Sequence, residues 1–535
     1  MVKTPPLDGE VVDKPHFTIY NLPMPLRIAI LGAGSVGFTR TLVRDILTVP
    51  ELQDTTFAFH DINEHNLSMV EQLIQRDIKM ANLPAKVESH LDRRKALAGA
   101  NYAMSFVRVG GLEAFQTDID IPLKYGIDQC VGDTLGPGGI MYAQRGIPVL
   151  LDFCQDIREV AAPNCLFLNY SNPMAMLTWA CNKYGGVNTV GLCHGVQGGH
   201  WQITSALEGW LKKRGTLSDD AKLTKRDVDI ICVGINHQTW YTRILWQGQD
   251  MTPHLLEAFQ EHHEFPTTEK VRIDMLKRFG YYSTESNGHL SEYVPWYRKR
   301  PDEIKDWIDL GVWINGETGG YLRVCTEGRN WFEHDFPNWM TNDPYTFEPE
   351  KRSEEHGSYI IEGLETGRTY RGHFNRVNNG VITNLPDDAI IEAPGYVDRN
   401  GISMALYGDL PLGCAAVCNA SISVQRLAVE AAVQGDPTLL KQAMMMDPLT
   451  GAVANPPEIW QMADEMLVAQ TEWLPQYAKA INEAQEALKS PRVQTRANQG
   501  AARLHTRSVE EIAEDKVAKE NAQKTDKAES RPAAK

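Results

Sequence analysis

The sequence predicts an α/β protein: a parallel sheet covered by helices, then a second, mixed α/β (α+β) domain. Three observations carry this. Between residues 27 and 150, short apolar runs alternate with helical patterns. Two further apolar runs, "NCLFLNYSNP" and "NTVGLCHG", continue the series and stop at polar residues. From about residue 200 the alternation gives way to longer strands, hairpin signals and amphipathic helices. With 42% hydrophobic and 23% charged residues over 535, the chain is long and apolar enough for two cores.

Residues 1–24 are Pro-rich and polar and are expected to form a loose arm. "RIAIL" reads as a strand, "TRTLVRDIL" as the start of a helix, "TTFAFHD" as a second strand and "NYAMSFVRVGG" as a third. The first domain is set at residues 25–200. The second, 201–486, begins with the strand-like "DIICVGINH" and a strand, turn and helix in "ILWQGQDMTPHLLEAF". Residues 301–372 read as helices with loops, "GVITNLPDDAIIEAPGYVDRNGI" as short strands with turns, and 420–485 as amphipathic helices. The charged, Ala/Lys/Glu-rich stretch 487–535 lacks apolar anchors and is expected to be a mobile tail.

Charge and composition narrow the function. A formal charge of −16 argues against nucleic acid and against acidic membrane surfaces as partners. Nine cysteines without paired spacing read as reduced thiols, and residues 1–24 lack the pattern of a signal peptide. No run of about 18 consecutive apolar residues is present. The expectation is a cytoplasmic enzyme acting on a small molecule.

"GAGSVG" sets Gly32, Gly34 and Gly37 in the G-x-G-x-x-G pattern, directly after a strand and before a helix. The first glycine permits the tight turn. The second lets backbone approach a pyrophosphate seated at the helix N-terminus. Asp61 ends the next strand, where a carboxylate holds the adenosine ribose hydroxyls and repels a 2′-phosphate. This is a Rossmann-type reading, and the cofactor expected is NAD. A glycine turn that only packs helix on sheet is the alternative.

Two strand ends carry groups that suit a transition metal. Cys193 and His194 lie in "CHG", Asn236 and His237 in "GINH". A thiolate and an imidazole hold a divalent ion and leave positions open for substrate oxygens. Spacing alone also fits a core cysteine and a hydrogen-bonded histidine. "NYSNPMAM" adds Asn169, Asn172 and Pro173, either a turn or an amide that grips hydroxyls. The Gly-rich "DTLGPGGIMYAQR" is either a ligand cradle or a helix-capping loop.

In this order, the pieces resemble family 4 of the glycoside hydrolases, the NAD- and manganese-dependent glycosidases. The resemblance is carried by "IAILGAGSVGF", "DTLGPGGIM", "LNYSNPMAM", "VGLCHGVQG", "GINH", "GYYSTESNGHLSEYVPW" and "MMMDPLTGAV", from about residue 27 to 477. It is nearest to the α-galactosidase branch. It implies Cys193 and His237 as metal ligands, Asn172 as a substrate-binding amide, and dimers or tetramers. It also implies a redox cycle. NAD⁺ takes a hydride from sugar C3, which acidifies the C2 proton. Mn²⁺ binds the C2 and C3 oxygens, a base removes the C2 proton, and the glycosidic oxygen leaves. Water then adds and the hydride returns, so NAD is not consumed.

The acid and base are less fixed by the resemblance. Some branches carry an Asp acid after the metal cysteine; here the residue is His194, which suits the task near neutral pH. Some members carry an Asp where this chain has Asn287, which cannot act as a base; His289 and Tyr293 are the candidates. Glu292 is expected to be solvated or salt-bridged. Two features bear on the sugar. The α-galactosidase branch has Ser where this chain has Gly195, and Arg108 suits a phosphate or a carboxylate. The expected activity is therefore α-galactoside hydrolysis. α-Glucosidase and α-glucuronidase or α-galacturonidase are the alternatives within the family. A plain NAD-dependent dehydrogenase, or a non-catalytic NAD or sugar sensor, lies outside it.

Overall fold

The structure, a computed structural model, describes residues 26–495 and 500–529; the expected N-terminal arm lies outside them. Thirteen strands form one sheet. In chain order they are β1 (Arg27–Leu31), β2 (Thr56–His60), β3 (Lys86–His90), β4 (Tyr102–Ser105), β5 (Leu166–Asn169), β6 (Thr189–Gly191), β7 (Val228–Ile235), β8 (Gln238–Trp246), β9 (Gln249–Asp250), β10 (Tyr282–Ser283), β11 (Tyr370–Val377), β12 (Ile390–Asp398) and β13 (Gly401–Met404).

The first six strands are mutually parallel and stand in the order 3-2-1-4-5-6, the dinucleotide-binding arrangement. In β1, Ile28 and Ile30 join one apolar cluster while Ala29 and Leu31 join the other, so helices cover both faces. That double burial is why "RIAIL" reads as an unbroken apolar run. β3 was not visible as such a run because it is a polar edge strand, "KVESH", with no core face to advertise.

The sheet does not stop at the parallel half. β11 and β12 pair along their lengths, then β11 joins β6 through Asn375 and Gly191, and β12 joins β7 through Glu392 and Gly234. Strands from late in the chain therefore form the seam between the parallel half and the β7–β8 hairpin. β11, which begins inside a stretch expected to be helical, is buried on both faces at mid-strand and shows no alternation.

Helix Leu412–Gln434 has 23 residues and a mean hydropathy of 1.3 over its most apolar window, long and apolar enough by composition to cross a bilayer. Half of that window is buried inside the protein, with Cys414, Cys418, Ile422 and Val429 in the main core. The C-terminal stretch departs from the expectation of a tail without anchors. The Ala501 N–H donates to Asp128 (2.9 Å), the Ala502 N–H to Thr318 Oγ1 (3.2 Å), and Arg507 pairs with Glu327 (2.6 Å). Backbone donors and an ion pair anchor the stretch, together with Ala502, which packs on Ile304 and Ile308, and the buried Ile512.

Candidate active site

The carboxyl ends of the parallel strands carry the expected groups. Gly32 follows β1 with φ at +88°, and a Cβ there would lie 3.1 Å from Val107 and 3.3 Å from the Phe106 backbone. Both the turn and the close approach require glycine. Gly34 donates its N–H to Asp61 Oδ2 at 2.8 Å, and a Cβ on it would crowd that oxygen at 2.7 Å. Asp61 Oδ1 accepts the Asn63 N–H at 2.8 Å, so the carboxylate is locked at the end of β2. Gly37 is exposed, with nothing within 4 Å of a Cβ built on it. It lies in the first turn of helix Val36–Leu47, whose Ser35 side chain makes no cap. Free first-turn N–H groups beside an open glycine fit a dinucleotide pyrophosphate.

The metal-type residues converge from three places. Cys193 lies two residues past β6, His237 at the tip of the β7–β8 hairpin, and Glu285 two residues past β10. Their ligand atoms all lie within 4.8 Å of one another. Glu285 Oε2 is 3.4 Å from Cys193 Sγ and 3.3 Å from His237 Nε2. Sulfur, nitrogen and carboxylate oxygen form a donor set that fits a divalent transition ion. Burial first, then the charges of Glu285 and Glu392, push the Cys193 thiol well above its ordinary range; the Gly195 N–H and the Asn236 amide pull it down. A divalent cation supplies the charge that makes such a thiol a thiolate. Burial alone would raise Glu285, but His237, His289 and His194 outweigh it and hold the carboxyl at about 2.

A second group surrounds Asp133, which is 1% exposed. Asn172 Nδ2 donates to Asp133 Oδ2 at 3.1 Å and the Thr134 hydroxyl to Asp133 Oδ1 at 2.9 Å. Arg108 lies 3.6 Å from the same carboxylate, its guanidinium ringed by Phe115, Tyr142 and Tyr321 at 4.4–5.3 Å. Thr134 Oγ1 also touches His237 Nδ1 at 3.0 Å, which links this group to the metal-type residues.

His194 caps helix Gly195–Lys213, and its Nδ1 meets Glu355 Oε1 at 3.3 Å. The Glu355 hydrogen bond outweighs desolvation and raises the imidazole to about 9, while 60% of its side chain stays exposed. His289 is different: burial lowers it to about 4, and its Nδ1 meets Ser286 Oγ at 2.7 Å. Tyr293 is 1% exposed, with its hydroxyl 3.4 Å from His237 Nδ1, and burial raises it well above its ordinary range. Asn287 plays no chemical part. Its Oδ1 accepts the Val271 N–H, and its Nδ2 donates to the carbonyls of Trp307 and Asn315.

Glu292 corrects the expectation of a solvated carboxylate. It is 2% exposed and accepts the N–H groups of Cys130 (2.6 Å), Val131 (3.0 Å) and Gly132 (3.1 Å). It ties the turn of helix bearing His289 and Tyr293 to the loop before Asp133. Sequence reasoning also did not single out Glu285, Glu355 or Asp133, although Asp133 opens the quoted "DTLGPGGIM".

A dinucleotide cradle and a Cys/His/Glu cluster at the ends of one sheet define a nucleotide- and metal-using enzyme. The comparisons name the family. The model described as "Family 4 glycosyl hydrolase" matches residues 27–208, and that described as "Family 4 glycosyl hydrolase C-terminal domain" matches 232–450. The chain is 58% identical over 493 residues to the alpha-galactosidase of Rhizobium meliloti (strain 1021), covering 92% of this chain and 98% of that one. It therefore belongs to the family 4 glycosyl hydrolases and is a glycoside hydrolase. Among solved structures it is similar to the putative glucosidase lplD of Bacillus subtilis, with a TM-score of 0.71, 26% identity and coverage of 83% and 99%. It shares its fold with the 6-phospho-beta glucosidase of Thermotoga maritima solved with manganese, NAD⁺ and glucose-6-phosphate, at a TM-score of 0.65, 22% identity and coverage of 84% and 99%.

Proposed function

We propose that this chain is an NAD- and manganese-dependent α-galactosidase. One observation carries the reading: the Cys193, His237 and Glu285 ligand atoms gather within 4.8 Å at the edge of a sheet whose β1 end forms a dinucleotide cradle. The 58% identity to an alpha-galactosidase supports the sugar. Arg108 keeps the uronides in the test below: its guanidinium is 3.6 Å from Asp133, but its Nη1 is buried without a hydrogen-bond partner among the described residues.

When bound at these residues, NAD⁺ supplies a hydride acceptor and Mn²⁺ a Lewis acid for sugar oxygens. The protein's own groups do the rest. Asn172 and Asp133 orient sugar hydroxyls beside His237. His289, neutral near pH 7, takes the proton from sugar C2. Tyr293 braces His237 through its hydroxyl. His194, held as the imidazolium by Glu355, gives a proton to the departing glycosidic oxygen. The same reading takes residues 25–200 as the nucleotide domain and 201–486 as the domain that completes the site. Exposed Leu406 and Leu412 support a homodimer or homotetramer, and nine free cysteines support a cytoplasmic location.

The test is release of p-nitrophenol from the α-galactoside, α-glucoside, α-glucuronide and α-galacturonide. Each is run with Mn²⁺, NAD⁺ and thiol, then with one omitted. Release from the galactoside that needs both NAD⁺ and Mn²⁺, without NADH building up, is expected. Release that survives omission of NAD⁺ overturns the reading, as does preference for a uronide.

A further inference from the structure

Between the two strands that deliver Cys193 and His237 lies a group of buried polar side chains that the mechanism does not use. Asn375 on β11 and Glu392 on β12 are directly opposed in the strand ladder. Asn375 is the residue through which β11 meets β6, two positions before Cys193. Glu392 is the residue through which β12 meets β7, two positions before Asn236. The seam that sets the distance between the two metal-bearing strand ends thus runs through this one pair.

Asn236 connects the pair to the metal-type residues. It precedes His237, and its Nδ2 donates to Glu392 Oε2 at 3.4 Å. All three residues are buried, at 1% exposure for Asn236, 0% for Asn375 and 2% for Glu392. Asn236 Oδ1, Glu392 Oε1 and both polar atoms of the Asn375 side chain have no hydrogen-bond partner among the described residues. Burying so many polar atoms costs stability: roughly 1–3 kcal/mol for each one left unpaired. An apolar seam of the same shape would be the stable choice for folding alone. The polar seam makes sense where a ligand sphere must be held in register.

We propose that Asn236, held by Glu392 in the β11–β12 seam, is a positioning residue for the metal site: it fixes His237, the next residue, relative to Cys193, whose strand joins the same seam through Asn375. This rests on the reading that Cys193 and His237 bind a divalent ion. Groups that orient a ligand from outside the coordination sphere typically change metal affinity by about 10–100-fold when removed. Glu392 acts at one further remove, by orienting the amide.

The experiment titrates Mn²⁺ into purified wild-type protein and into Asn236→Ala, Glu392→Leu and Glu392→Gln, following free Mn²⁺ by electron paramagnetic resonance. NAD⁺ affinity of each variant is measured alongside as a check on folding. The expected result is an affinity loss of about 10–100-fold in Asn236→Ala and about 10-fold in Glu392→Leu. Glu392→Gln keeps an oxygen acceptor and should stay within about threefold of wild type. With Co²⁺ loaded, displacement of His237 in Asn236→Ala should shift the cobalt ligand-field band, a change that loss of packing away from the metal does not produce. Wild-type Mn²⁺ affinity in Asn236→Ala, or an unmoved cobalt band, overturns the proposal. A variant too unstable for titration is still read by the band in Glu392→Gln against Glu392→Leu, where equal spectra overturn it. A wild-type protein that binds no Mn²⁺ instead refutes the metal reading beneath it, so the two failures are distinct.

Discussion

Gly195 offers a sharp test of the site because the three atoms nearest a carbon added there all belong to the Glu285 carboxylate, so the Ser that the α-galactosidase branch carries at this position requires that carboxylate to sit elsewhere. A Cβ at this position would lie 2.3 Å from Glu285 Oε2 and 2.7 Å from its Cδ, whereas ordinary contact begins at 3.4 Å. In Gly195→Ala the oxygen must therefore retreat by about 1 Å, and a metal–carboxylate bond is only about 2 Å long. The carboxylate leaves coordination range while the Cys193 sulfur, bonded to the Gly195 N–H, stays in place. Misplacement on this scale costs up to about 100-fold, and loss of a contributing ligand about 10-fold at least. The expected outcome is a 10–100-fold rise in the Mn²⁺ dissociation constant, about 1.4–2.7 kcal/mol. The helix itself should not suffer, since alanine is a better helix former than glycine by about 1 kcal/mol. The assay is paramagnetic titration of Mn²⁺, with thermal melting and NAD⁺ calorimetry as controls. An unchanged Mn²⁺ affinity would show that Glu285 is not a ligand and that the cluster is held together by hydrogen bonding alone.

Cys193→Ser should abolish metal-dependent turnover and leave NAD⁺ affinity within about twofold, because β4 and β5 stand between β6, which leads to the thiol, and β1, which leads to the cradle; full turnover in that variant would sink the metal assignment. Asp61→Ala removes both the ribose partner and the acceptor that fixes the Gly34 N–H, and should weaken NAD⁺ by at least about tenfold in calorimetry. Arg108→Met leaves the buried Asp133 without its cation. Asp133 keeps its donors Asn172 and Thr134, so the cost should be about 1–3 kcal/mol, and the melting temperature should fall along with turnover of the neutral galactoside. A loss confined to anionic substrates would instead make Arg108 a direct anion receptor.

The sequence made one half of the site readable. "GAGSVG", Asp61, Asn172 and Cys193 follow short apolar runs, and parallel strands put such positions at one edge of the sheet. The other half was not readable, for a geometric reason. Glu285 reaches the metal-type residues because β10 pairs with β8, a contact between segments whose order in the chain gives no hint of it. Glu292 looked like a surface carboxylate because charge usually means solvent. Its three backbone donors belong to residues 130–132, far back in the chain. Glu355 and His194 meet only because the helix it caps packs near the start of helix Gly195–Lys213. The seam of Asn375 and Glu392 was hidden in the same way, since strands buried on both faces show no alternation to mark which side chains point where.

The central claim is that the glycosidic bond breaks by removal of the proton on sugar C2 rather than by direct displacement at C1. The most direct measurement is hydrolysis of an α-galactoside in D₂O, with the released sugar examined by nuclear magnetic resonance. The account predicts deuterium at C2 of the product, because the proton taken by His289 exchanges with solvent before it is returned. Product carrying only hydrogen at C2 would contradict it.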